Sequence, residues 1–433
     1  MDTKKLITQN SDLLNLLRFY KQINKPEIAN YLNLSMPTIY KILDELNDSK
    51  IINKEDLSIS KSYGTLCGIS IGSSLCKIVL LDMDFSLFSE TKFAPYKETL
   101  YNKLSDCGLK NDELLIKCFG NTKKNYIYFK TPSQFATLKA VLDSVFDCIK
   151  LWHTHEKSLN FLSIGISCTG VINEQTHTIL NAHIRDYLNE TTLTGLLFPD
   201  KQAYFKENEI DIYLVQNANA AMIAEKINLY QTNSKYIINK NIMSLYLGGG
   251  IGAGLYFEKI YSGTCGYSGE IGHIQVPDLC ELITPNNINN TDKIDLKCTC
   301  GGKNCYEHRI RTDVFQASHE KFCDLSSQEI ADILEKSTEK ASLFGSYLGH
   351  MINTSTNLLN LDLIIFTGKF YKSMNILFNH ITKVQDENHL KFSRNACTLL
   401  VSQLGPKAPA IGAAIYSYHM KYNLNLSWEY YIQ

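Results

Sequence analysis

The sequence predicts a mixed α/β chain of more than one domain, in which a small helical head leads into two strand-and-helix lobes. Apolar residues fall at helical spacing from Ser11 to about Ile52, whereas after Lys61 short apolar strands gather around glycine turns. That strand pattern occurs twice, in similar blocks near Gly72 and Gly249. A length of 433 residues exceeds what one core usually fills, so two or three domains are expected.

Bulk charge excludes a generally basic or acidic protein: 43 Lys and Arg face 44 Asp and Glu, a formal net charge of -1. Any polyanion must therefore be bound by a local motif. The start MDTKKLITQN has no apolar signal core and no run approaches the length of a membrane span, so a soluble, cytoplasmic protein without membrane contact is expected. The 13 cysteines are odd in number and scattered, which fits reduced thiols with one metal cluster around Cys298 better than a disulfide framework.

In the head, a first helical segment runs from Leu13 to Tyr20. A second starts at Pro26 and carries Ile28, Ala29 and Leu32; Asn33 turns the chain, and Ser35 caps a third helix with Pro37 just inside it. Ile39, Ile42, Leu43 and Leu46 give that helix one inward face. The run NKPEIANYLNLSMPTIYKILDELNDSKII resembles the winged helix-turn-helix of bacterial regulators, with Ser35 to Asn47 as recognition helix. The resemblance implies that Ser35, Met36, Thr38, Tyr40 and Lys41 meet double-stranded DNA. The alternative is a three-helix protein-interaction bundle. A wing is expected within Ile51 to Ser62; it lacks the Gly-Gly-Arg-Pro hook of many relatives, leaving Lys54 and Lys61 as its cations.

The two glycine blocks, GTLCGISIGSSLCKIVLLDMD and MSLYLGGGIGAGLYFEKIYSG, read as β-hairpins whose small turns let backbone amides approach a phosphate. Strands at LSIGISCTG, DIYLVQNANAAMIAEK and LDLIIFTGKFYKS follow the same style. The order of these pieces, with GYSGEIGHIQV at 266–276 and CTCGGKNCYEH at 298–308, resembles the ROK family of repressors, uncharacterised frames and sugar kinases. The resemblance implies an actin-like, ribonuclease-H-like two-lobed sugar kinase fold, with a first lobe at 63–185 completed by a C-terminal helix at 410–433, and a second lobe at 186–409 behind a DNA-binding domain at 1–62.

Cys298, Cys300 and Cys305 place three thiols within eight residues around a glycine loop, a donor set suited to a closed tetrahedral metal shell. The family pattern supplies His273 as fourth ligand and structural zinc as the metal. It also implies that Glu270, His273 and Glu307, with Gln216 and Asn217, hold a sugar. Asn304 replaces the usual glycine before the last cysteine, a residue that tolerates left-handed backbone.

The kinase chemistry is selectively altered. Where active relatives carry a proton-accepting Asp, this chain has Asn217 in VQNANAA, and an amide is no general base near neutral pH. The metal-holding Asp of the first hairpin is Ser70, and a Thr of the second is Gly249. No catalytic residue is therefore assigned. The expectation is a sugar-responsive DNA-binding regulator, a repressor by family habit, acting as a homodimer or homotetramer on an operator, with a monosaccharide or sugar phosphate as effector. The rival is an active ATP-dependent sugar kinase; a constitutive DNA-binding protein with a vestigial pocket is the other alternative.

Overall fold

The computed structural model describes residues 3–20, 22–155, 159–233, 240–276, 297–388 and 397–424. In the head, helices span Thr3–Gln9, Ser11–Phe19, Lys25–Leu32 and Met36–Asp48, followed by a short antiparallel pair, Ile52–Asn53 with Ser58–Ile59. The Ser35 hydroxyl accepts from Thr38 N at 3.4 Å, and Asn33 takes a left-handed conformation at φ 51°, so both expected punctuation marks are present. Ile39, Leu43 and Leu46 are buried and Ile42 half-buried. The helix Thr3–Gln9 was not anticipated; it buries Leu6 and Ile7.

The chain forms two compact units. One holds the described residues up to Asn233 together with 258–260 and the C-terminal helix from Pro409; the other holds the remainder from Lys240 to Ala408. The five-stranded sheet of the first unit has the order Asp211–Gln216, Phe161–Cys168, Thr65–Ile71, Leu75–Asp82, Ile127–Lys130. Its first three strands run parallel, while Leu75–Asp82 is antiparallel to both neighbours. Because Asp211–Gln216 pairs with Phe161–Cys168 along its whole length, residues 186–233 sit in this unit, although the sequence assigned them to the second lobe. The segment 102–134 supplies the edge strand Ile127–Lys130.

One sheet face packs on a core of Ile69, Ile71, Cys76, Ile78, Phe129, Leu142 and Phe146. On the other face lies the helix Ala408–Lys421, seated so closely that a Cβ on Gly68 would stand 1.9 Å from Ala410 O. The head is anchored to this same unit. Arg18, only 4% exposed, donates to Met83 O, Asn15 Oδ1 and the Tyr418 hydroxyl.

In the second unit, Ile251–Phe257 and Ile242–Leu247 form the glycine hairpin, with Leu363–Gly368 and Thr398–Val401 added in parallel. Its core gathers Leu245, Leu247, Phe344, Leu348, Phe366 and Phe370. Among the described residues, no helix is long and apolar enough to cross a membrane.

Candidate functional sites: a DNA-reading helix, a thiol cluster and two hairpins

Ser35, Thr38, Tyr40 and Lys41 are exposed on the helix Met36–Asp48, and Met36 is half-buried. The Ser35 and Thr38 hydroxyls lie 2.7 Å apart and serve the helix start, which leaves Tyr40 and Lys41 as the longest free-standing groups of the set. Tyr40 also carries the Lys25 ammonium 5.0 Å from its ring centre. Lys54, expected to be a wing cation, bonds Asp44 at 2.6 Å and Lys61 lies 3.3 Å from Asp84, so both are shared with carboxylates.

The thiol cluster is built by two short segments of the second unit. In the first, GYSGEIGH docks on the strand Ile251–Phe257: Gly269 has φ +82° and a Cβ there would meet Ala253 O at 1.8 Å, so glycine is required. A 3-10 turn, Ile271–His273, then presents His273. In the second, Cys298 N donates to Gly302 O and Asn304 adopts φ 58°, as its residue type suggested, while its Nδ2 donates to Val276 O at 2.8 Å. The donor atoms of His273, Cys298, Cys300 and Cys305 lie within 4.8 Å of one another. Cys298 Sγ is 3.6 Å from His273 Nδ1, and His273 Nε2 is 3.8 Å from Glu270 Oε2. The imidazole thus turns one nitrogen to the thiols and the other to a carboxylate, the pairing that orients metal-bound histidines. Burial alone would raise the Cys298 thiol, but its hydrogen bond with His273 brings it down to about 7. The residues present fit a tetrahedral metal site.

Glu307, 5% exposed, accepts from Ile251 N at 2.8 Å and so braces the second glycine hairpin; burial raises its carboxyl. Thus Glu270, His273 and Glu307 are brought together around the thiols in one unit. Gln216 and Asn217 belong to the other, where Gln216 ends a strand and Asn217 opens the helix Asn217–Asn233.

Asn217 is 6% exposed, and each of its polar atoms makes a hydrogen bond. Its Oδ1 accepts from Ser70 Oγ at 3.2 Å, and its Nδ2 donates to Ile71 O at 3.1 Å. Ser70 and Asn217, the two positions where the resemblance led one to expect a carboxylate, therefore meet in one hydrogen bond. Sequence reasoning missed this contact, which spans 147 positions, and also missed Lys77. The signal for Lys77 was a lone cation inside the apolar strand LCKIVLLD.

The ROK family profile matches residues 121–419. The chain belongs to the ROK family. It is similar to the xylose repressor of Bacillus spizizenii (strain ATCC 23059 / NRRL B-14472 / W23), at 25% identity over 260 residues, covering 58% of this chain and 59% of that protein. The chain thus spans about three fifths of that relative. A putative xylose repressor of Caldicellulosiruptor sp. (strain Rt8B.4) is 21% identical over 403 residues, 85% of each chain. Among solved structures, a ROK family transcriptional regulator described as a homologue of the E. coli MLC protein superposes with a TM-score of 0.66 at 17% identity, covering 99% of both chains. At that identity the likeness establishes the fold: the actin-like sugar kinase architecture of ROK proteins, with N-terminal helices that fit a helix-turn-helix.

Proposed function

We propose that the protein is a sugar-responsive, DNA-binding transcriptional repressor whose kinase-like region binds a monosaccharide or sugar phosphate without phosphorylating it. The Asn217 amide carries this reading: with both polar atoms bonded to the first hairpin, it has no proton-accepting role to offer a sugar hydroxyl. The similarity to xylose repressors supports the regulatory branch and makes xylose the first effector to try, with glucose and N-acetylglucosamine beside it.

Tyr40 and Lys41, exposed on a capped helix, are suited to base edges and phosphates in a major groove, and the hairpin at Ile52–Ile59 takes the part of the wing. Zinc is the metal that three thiolates and an imidazole suit best; held by His273, Cys298, Cys300 and Cys305, it would fix Glu270 and Glu307 for sugar hydroxyls. The protein would act in the cytoplasm as a homodimer or homotetramer, because two heads must be spaced by roughly 34 Å or a multiple to fill two half-sites. A tenfold change in DNA affinity requires about 1.4 kcal/mol of difference in sugar binding between two conformations.

The test is fluorescence anisotropy of a duplex selected by the protein, titrated with each sugar. At least one sugar should shift DNA affinity at fixed salt. Indifference of DNA binding to the entire panel would contradict the regulator reading, and sugar-dependent ATP turnover would restore the kinase.

A further inference from the structure

By sequence the wing is neutral: residues 51–62 carry Lys54 and Lys61 against Glu55 and Asp56. The structure separates these charges. Lys54 turns back onto the helix Met36–Asp48, where Asp44 takes its ammonium at 2.6 Å and Asp48 attracts it as well. Its own amide donates to Asn47 Oδ1 of the same helix at 3.2 Å. Lys61 points away from the tip, 3.3 Å from Asp84 and 3.4 Å from Ser86 Oγ. Both cations are thus engaged by carboxylates of the protein itself.

The two acids remain at the tip. Glu55 and Asp56 are exposed in the turn between the strands Ile52–Asn53 and Ser58–Ile59. Local hydrogen bonds fix this turn. Asn53 Oδ1 accepts from Glu55 N at 3.1 Å, and Asp56 Oδ1 accepts from Ser58 N at 3.1 Å and from the Ser58 hydroxyl at 2.6 Å. Among the described residues, the Glu55 carboxylate has no hydrogen-bond or ion-pair partner. A cleft of about 510 Å3 separates the tip from the reading groups, with Lys25, Met36 and Tyr40 on one side and Glu55, Asp56 and Leu57 on the other. Lys25 stands over the Tyr40 ring, so the two sides carry opposite charge. Phosphates are attracted to the first and repelled by the second, and a phosphate strand borders each edge of a minor groove.

We infer that the wing tip is an electrostatic fence: Glu55 and Asp56 keep it out of the minor groove, leave base reading to the major-groove helix, and penalise loose binding to the phosphates of unrelated DNA. This rests on the DNA-binding reading of the head and narrows it. A helix seated on base edges holds the head in one orientation, whereas a complex held by phosphates alone samples many, so the repulsive element weighs most on the second.

Fluorescence anisotropy on the full chain, over a series of salt concentrations, would compare a duplex selected by the protein with a random-sequence duplex of equal length. Exchanging G·C for inosine·C pairs in the flanks of the selected duplex strips the minor-groove amino group and leaves the major-groove edge unchanged, and should alter native affinity by less than about twofold. Glu55→Lys should tighten the random duplex by roughly fivefold and steepen its salt dependence by about one unit of slope, with a smaller gain on the selected duplex. Asp56→Asn, which keeps an acceptor for Ser58, should act in the same direction by less. Native sensitivity to the inosine exchange, an unchanged random-duplex affinity in Glu55→Lys, or an equal gain on both duplexes overturns the inference while the DNA-binding reading stands. If native protein binds no duplex at all, both fail.

Discussion

Asn217→Asp introduces the carboxylate that the family resemblance leads one to expect in a kinase, and the structure predicts that it will weaken the protein without making it a kinase. The native amide donates to Ile71 O at 3.1 Å, a carbonyl that also accepts from Thr169 N at 3.1 Å. An ionised Asp turns an acceptor toward that carbonyl in a site only 6% exposed. Losing the hydrogen bond and leaving an unsatisfied acceptor costs about 1–3 kcal/mol, with Lys77 across the hairpin pulling the figure toward the lower end. In a unit of this size that corresponds to a fall of roughly 2–12 °C in melting temperature. A protonated Asp can donate to Ile71 O as the amide did, so its folded-state pKa is raised. The stability it retains is present at low pH and is lost as pH rises through that folded value. Scanning calorimetry at pH 5 and pH 8 should therefore show the larger deficit at pH 8. Phosphoryl transfer from Mg-ATP should remain absent, because Ser70 still lacks a metal-binding carboxylate. A variant as stable as native protein at pH 8, or one that turns over ATP with a sugar, would refute the reasoning.

Other consequences are as direct. His419 is wholly buried, its Nδ1 donates to Ile415 O, and burial lowers it to about 3. The unfolded chain binds this proton between about pH 6.5 and 3 and the folded chain does not, so stability should fall with pH across that window by up to about 1.4 kcal/mol per unit; His419→Gln should flatten the slope in pH-dependent calorimetry. Cys298→Ser or Cys305→Ser should abolish bound zinc by elemental analysis and lower the melting temperature of the second unit, while leaving the head's helices intact by circular dichroism. Lys41→Ala should weaken DNA binding and reduce the salt dependence by about one unit of slope, whereas Tyr40→Ala should weaken it with the slope unchanged.

Local chemistry made much of the molecule legible. Ser35, Asn33 and Asn304 behave as their side chains dictate, because caps and left-handed turns depend on residues one to three positions away. The thiol spacing was readable for the same reason: Cys298 to Cys305 is a single loop, and only His273 had to be supplied by family pattern. What escaped depends on register between distant strands. The bond from Ser70 to Asn217 and the opposition of Ser70 to Lys77 are invisible until the hairpin and the parallel strands are aligned. The unit boundary was misplaced because the strand at 211–216 reads alike as the last of one sheet or the first of the next; its pairing with Phe161–Cys168 decides. Glu307 was expected to face a ligand, yet one of its oxygens supports Ile251, a role no sequence spacing signals.

The most direct trial is equilibrium dialysis of native protein against radiolabelled xylose, glucose and their phosphates in the presence of Mg-ATP, with chemical identification of the retained label. One saccharide should be held at a stoichiometric level and recovered in the form in which it was supplied. Label recovered as a newly phosphorylated sugar, dependent on the purified chain, would contradict a site that binds its ligand and leaves it unchanged.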